Sequence, residues 1–129
     1  MQHITGIGGV FFKAQNPKEL QAWYQQHLGI EPQSDGTQIF FWRERENADA
    51  LGSTVWSPFP ADTDYFGATG KSFMFNYRVK NLDAMLAQLR AAGAMVDEKI
   101  QVLEGIGRFG WATDPEGNRF ELWEPAEGA

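Results

Sequence analysis

The chain contains no cysteine. That excludes a disulfide framework, a thiolate nucleophile and a cysteine-held metal, and it fits a reducing compartment. Histidine is nearly absent too, with His3 and His27 the only two. Basic charge is short: 11 Lys and Arg stand against 17 Asp and Glu, a formal charge of −6. Binding to a phosphate backbone draws on clustered Lys and Arg, so no nucleic-acid partner is expected. No apolar run approaches the roughly 18 residues of a membrane span. The first residues, MQHITGIGGVFF, lack the basic start and long apolar stretch of a secretion signal. The expectation is a soluble, cytoplasmic protein with no membrane partner.

What is present suits one domain over residues 1–129. A chain of this size buries roughly two-thirds of its unfolded surface, enough for a core without staples. Aromatic residues are plentiful, with ten Phe and five Trp. Residues 5–13 read as a strand interrupted by glycines, which lets another group approach closely. Asn16-Pro17 reads as a helix start, and the apolar stripe Leu20, Trp23, Tyr24 and Leu28 predicts a helix over 17–28 closed by Gly29. Strands follow at 37–45 and 53–57. Residues 58–70, with two prolines and two glycines, read as a connection. A second strand at 71–79 leads into a helix over 82–92, started by Asn81 and ended by Gly93. Strands at about 98–104, 107–113 and 119–124 complete the pattern, the last two joined by the turn Asp114-Pro115-Glu116-Gly117-Asn118.

The two halves repeat. At an offset of 65 residues Asn16 falls on Asn81, Leu20 on Met85, Asp49 on Asp114, Gly52 on Gly117 and Pro60 on Pro125. The middle strands do not align cleanly. Each half reads as a strand, a helix and three strands, with modules at about 1–60 and 68–125. Such half-sheets expose one face that must be covered, and a cleft between symmetric halves suits a small molecule.

The stretches Ile7-Gly8-Gly9-Val10-Phe11-Phe12, Tyr77-Arg78-Val79-Lys80-Asn81-Leu82-Asp83 and above all Asp114-Pro115-Glu116-Gly117-Asn118-Arg119-Phe120-Glu121-Leu122-Trp123-Glu124-Pro125 resemble the vicinal oxygen chelate superfamily. That group holds glyoxalase I, extradiol dioxygenases, fosfomycin-resistance enzymes and bleomycin-binding proteins. The resemblance spans nearly the whole chain. It implies an α+β fold of two βαβββ modules forming a curved mixed sheet around a central cleft, and a homodimer. It also implies a divalent metal held between the modules. The matching ligand positions here are Gly9, Trp56, Met74 and Glu121, and the repeat relates them in pairs, Gly9 with Met74 and Trp56 with Glu121. Of these only Glu121 ligates a hard or borderline divalent ion. His3 keeps the strand parity of Gly9 and His27 sits on a helix. The expectation is therefore no metal and no cofactor.

What remains is a cleft with one carboxylate and many rings. Strand parity adds Ile7, Phe11, Asn76 and Arg78 from the first strands, and Trp56, Arg119, Glu121 and Trp123 from the last ones. Phe11, Trp56, Met74, Asn76, Arg78, Trp111, Arg119 and Glu121 are the candidate ligand contacts, and Glu121 is the candidate catalytic group. The rings either line a site or fill it as core; Phe59, Tyr65, Phe66 and Phe109 lie near it in sequence. Three functions follow. One is a metal-free binding protein like the bleomycin-resistance branch, taking a small, partly aromatic molecule. Another is a lyase, isomerase or dioxygenase of the superfamily, metal-dependent or using Glu121 as general base, with Arg78 or Arg119 steadying an anion. The third is an interaction module with a filled cleft. Fold analogy alone does not choose among them.

Overall fold

The computed structural model describes residues 1–67 and 70–129. Residues 68 and 69, at the end of the expected connection and the start of the expected second module, lie outside them. The chain runs β1 (Gly6–Ala14), α1 (Pro17–Leu28), β2 (Ile39–Arg43), β3 (Leu51–Pro60), β4 (Phe73–Arg78), α2 (Leu82–Ala91), β5 (Met95–Val96), β6 (Gln101–Leu103), β7 (Gly107–Thr113) and β8 (Arg119–Pro125). The expected connection is shorter than its composition suggested, because β3 continues through Pro58 to Pro60. Two strands rather than three follow α1 among the described residues.

The strands form one mixed sheet of eight in the order β2-β3-β1-β4-β8-β7-β5, with β6 paired to β7. Its centre is the antiparallel pair β1–β4. On each side a parallel pair follows, β1 with β3 and β4 with β8. Each parallel pair encloses a helix in sequence, as a crossover requires. The α+β fold read from the sequence is thus the one observed.

The two helices are not equivalent. In α2 the Asn81 side chain accepts from Ala84 N–H at 3.0 Å, and Glu124 accepts from Leu82 N–H at 2.8 Å. These satisfy two of the free donors of the first turn. Leu82, Met85 and Leu86 are buried with Val79 and Leu122 in one core cluster. In α1 Pro17 takes the first turn, but Asn16 makes no side-chain cap and no residue is fully buried. Of the predicted stripe, Trp23 is 50 % and Leu28 62 % exposed. Tyr24 alone of the stripe's rings meets the sheet, against Trp56 at 4.8 Å between ring centres. Gly29 ends α1 in the left-handed conformation, with φ +70°.

On the opposite face Phe11, Phe66, Met74, Phe109, Trp111 and Trp123 form a second core cluster, edged by Val55, Phe59 and Tyr65. This face is the cleft. A β-bulge between Ile7 and Gly9 shifts the β1 register. Ile7 pairs with Tyr77, whose ring joins the α2 cluster, so Ile7 turns away from the cleft instead of into it. The bulged Gly8 has no room for a side chain: a Cβ there would stand 2.2 Å from Asn76 Oδ1.

Candidate functional site

The cleft is organised around Glu121, which is 3 % exposed. Alternation along β8 puts Arg119, Glu121 and Trp123 on the cleft side and Phe120 and Leu122 on the α2 side. Register pairs Glu121 with Asn76 on β4 and Trp111 on β7. Asn76 Nδ2 donates to Glu121 Oε1 at 2.6 Å, and Trp111 Nε1 donates to Oε2 at 3.0 Å. The Tyr65 hydroxyl also donates to Oε2. All three donors are neutral.

No lysine, arginine or histidine forms an ion pair with Glu121 among the described residues. Arg119, two residues before it, turns elsewhere: Nη1 meets Asp97 at 2.6 Å and Nε donates to the Tyr65 carbonyl at 3.2 Å. Burial therefore raises the Glu121 carboxyl above its ordinary value of 4.5, against the opposing pull of its three hydrogen bonds and of Arg119. Burial, followed by the Glu121 charge, pushes the Tyr65 phenol well above the usual range.

Two neighbouring cavities open beside the carboxylate. One, about 190 Å³, is lined by Phe11, Phe59, Tyr65, Gln101, Leu103, Phe109 and Glu121. The other, about 150 Å³, shares Phe11, Phe109 and Glu121 and adds Gly8, Val55, Asn76, Ile106 and Trp123. The cleft is thus neither wide open nor filled. Asn76 Oδ1, on the wall of the second cavity, is buried with no donor among the described residues. A larger hollow of about 550 Å³ beside the end of α2 offers one charged side chain, Asp114, and lies away from these groups.

The candidate contacts divide as follows. Phe11, Asn76, Trp111 and Glu121 come together. Met74 lies beneath them, 1 % exposed in the core cluster. Arg78 shares their face further along β4, and Arg119 lies over the Trp111 ring, 5.4 Å from its centre. Trp56 does not belong. Its ring packs at a tilt against Phe12 and Tyr24, on the face that carries α1. The reason is a one-residue slip between the halves. Gly9 pairs with Val55, while its cross-strand mate Asn76 pairs with Glu121, so Val55 and not Trp56 is the counterpart of Glu121. One residue of slip turns a side chain through the sheet. His3 and His27 are exposed, and His27 packs beside Trp23. Tyr65 was visible in the sequence only as one more ring in the connection, with no periodicity to mark it.

These residues do not fit a divalent metal. Gly9 has no side chain, Met74 is a soft thioether, and Val55 stands at the position opposite Glu121. No group of three or more His, Asp or Glu side chains converges among the described residues. The one available carboxylate is held by three N–H and O–H donors instead.

The glyoxalase-like domain family model matches residues 9–123. The chain belongs to that family. No curated protein matches it. Among solved structures, this glyoxalase-like chain is similar to methylmalonyl-CoA epimerase from Mycobacterium tuberculosis, at 24 % identity over 95 % of this chain and 89 % of that one, TM-score 0.58. A Streptomyces coelicolor methylmalonyl-CoA epimerase variant in complex with 2-nitronate-propionyl-CoA is similar at 14 % identity over 93 % and 96 %, TM-score 0.64. A Legionella pneumophila structure described as an NAD-dependent benzaldehyde dehydrogenase is similar at 13 % over 89 % and 96 %, TM-score 0.55. At these identities the likeness shows the fold, and the differing names carry no common reaction.

Proposed function

We propose that this protein binds a small aromatic molecule carrying an N–H or O–H donor, in the cleft at Glu121 and without a metal ion. The observation that carries the reading is a buried carboxylate, ringed by neutral donors, facing two ring-lined cavities. Desolvating an anion without a cation is costly, and a ligand amine would offset that cost. The unpartnered Asn76 Oδ1 is a second acceptor on the same wall. A dry apolar cavity of about 150 Å³ accommodates one benzene-sized ring, which sets the ligand's scale. Aromatic contacts of about 0.5–1.5 kcal/mol each support dissociation constants between about 10 μM and 1 mM for such a fragment.

Tryptophan fluorescence titrated with benzylamine, phenol and benzoate tests this. Benzylamine should saturate and bind roughly tenfold tighter than benzoate, a difference of about 1.4 kcal/mol. Chelator treatment should change nothing, and Trp56→Ala should leave the affinities intact, because Trp56 faces α1. No saturable response, or binding lost with the chelator, would refute the reading.

A second reading has one observation in its favour. The raised carboxyl of Glu121, touching the Tyr65 hydroxyl, is arranged for proton transfer. In it, Glu121 removes a proton from a carbon acid and Tyr65 attends the developing oxyanion. Exchange of the α-hydrogen of methylmalonyl-CoA in deuterated water, lost in Glu121→Gln, would favour that reading over simple binding.

A homodimer and a cytoplasmic location are proposed with either reading. Ile7, Phe73 and Phe75 are exposed apolar residues on β1 and β4, and a patch of rings of this kind seeks a partner. Light scattering should give the mass of two chains, and Phe75→Glu should shift it to one. A single-chain mass for the unaltered protein at micromolar concentration would contradict this.

A further inference from the structure

The polar side chains around the smaller Glu121 cavity are poised to accept rather than to donate. Of the side chains lining it, those with N–H groups are Asn76 and Trp123. Each already donates: Asn76 Nδ2 to Glu121 Oε1 at 2.6 Å, and Trp123 Nε1 to the Ile106 carbonyl at 2.9 Å. Two acceptors stay open. One is Asn76 Oδ1, on a side chain 2 % exposed, with no donor among the described residues. The other is on Glu121. An ionised carboxylate has about four lone-pair positions. Oε2 accepts from the Tyr65 hydroxyl and the Trp111 indole, whereas Oε1 accepts only from the Asn76 amide. One position on Oε1 is therefore left over.

The two open acceptors are neighbours, because Asn76 and Glu121 are register partners on β4 and β8. The orientation of the Asn76 amide is fixed by its bond to Glu121: turned round, it would set Oδ1 against the carboxylate. Gly8 faces this oxygen across the cavity wall, where a Cβ would stand 2.2 Å from Oδ1. A glycine in a bulged strand lets another group approach closely, and any side chain at this place would cover the oxygen.

We infer that this cavity takes the head of a planar amidinium-type cation joined to an aromatic ring. The inference rests on the reading that the Glu121 cleft binds a small aromatic molecule, and it names the chemical class of that molecule. An amidinium carries its N–H donors in one plane and has no acceptor of its own, as a guanidinium does. One edge of it can donate to Glu121 Oε1 and to Asn76 Oδ1 together. Its charge then lies beside a buried carboxylate that has no cation partner among the described residues. An alkylammonium supplies the charge as a compact point without the flat fork. A carboxamide is flat, but it is neutral and brings a carbonyl to walls whose side-chain donors are already engaged. The larger cavity shares Phe11, Phe109 and Glu121 with this one, so a ring attached to the head meets aromatic walls.

Calorimetric titration of the full chain with benzamidine, benzylamine and benzamide tests the class. Benzamidine should bind about tenfold tighter than benzylamine and at least about tenfold tighter than benzamide, the worth of one charge-assisted hydrogen bond. Asn76→Ala removes Oδ1, and it should bring benzamidine and benzylamine to within about twofold of each other. Should that variant fail to fold, the three ligands on the unaltered protein decide alone. Benzamidine no tighter than benzylamine, benzamide equal to benzamidine, or a benzamidine preference that survives in Asn76→Ala would each overturn the amidinium assignment and leave the amine site standing. No saturable response to either benzylamine or benzamidine would overturn both the assignment and the reading it rests on.

Discussion

Glu121→Ala is expected to lower the unfolding free energy by about 2–4 kcal/mol and to abolish amine binding. The substitution removes one carboxylate but strands three donors, the Tyr65 hydroxyl, the Asn76 amide and the Trp111 indole. Each buried unpaired donor costs about 1–3 kcal/mol, and water entering the vacated space recovers part of it. Urea unfolding followed by far-ultraviolet circular dichroism measures the loss. A cost below about 1 kcal/mol would mean that the three donors find other partners readily.

Glu121→Gln separates charge from shape, because its amide oxygen still accepts. The carboxyl is raised in the folded state, so between its ordinary value of 4.5 and the raised value the folded protein holds more protons than the unfolded chain. Stability therefore falls as pH rises through that window. The Gln variant should be flat there, and the difference between the two proteins should grow with pH above 4.5. The carboxylates lowered in the fold, Asp35, Asp83 and Asp114, act below their ordinary value of 3.8 and cancel in the comparison.

Gly107→Ala is the second large effect, at about 3 kcal/mol or more. Gly107 opens β7 with φ +138°, and a Cβ there would stand 2.2 Å from the Glu124 carbonyl oxygen and 2.9 Å from Ala126 N. Both contacts are backbone, so relief requires moving β8. That movement reaches the cleft through Trp123, whose Nε1 donates to the Ile106 carbonyl at 2.9 Å. Weaker ligand binding should accompany the lost stability. Gly117→Ala is the control. It also sits at positive φ, +85°, but meets nothing within 4 Å, and should cost only about 1 kcal/mol of backbone strain. Equal melting temperatures for the two variants would refute the steric argument.

Patterns confined to one segment were legible in the sequence. The bounds of α1, the burial of Leu82, Met85 and Leu86 on α2, and the turn in which Asp114 accepts from Glu116 and Asn118 N–H, all follow from local spacing and turn chemistry. The repeat and the stretch from Asp114 to Pro125 determined the fold, and parity along β8 determined that Glu121 faces the cleft. Tertiary structure decided whatever depends on how one strand lies against another. The bulge at Gly8 turned Ile7 outward, and a one-residue slip between the halves put Val55 in the place read for Trp56. The same applies to groups brought from a distance. Tyr65 reaches Glu121 across 56 residues of sequence, Arg119 chooses Asp97, and Arg78 is buried between the Trp42 and Trp123 rings. The side-chain period of a strand says that alternate residues share a face. Register and long-range packing say which face, and against what.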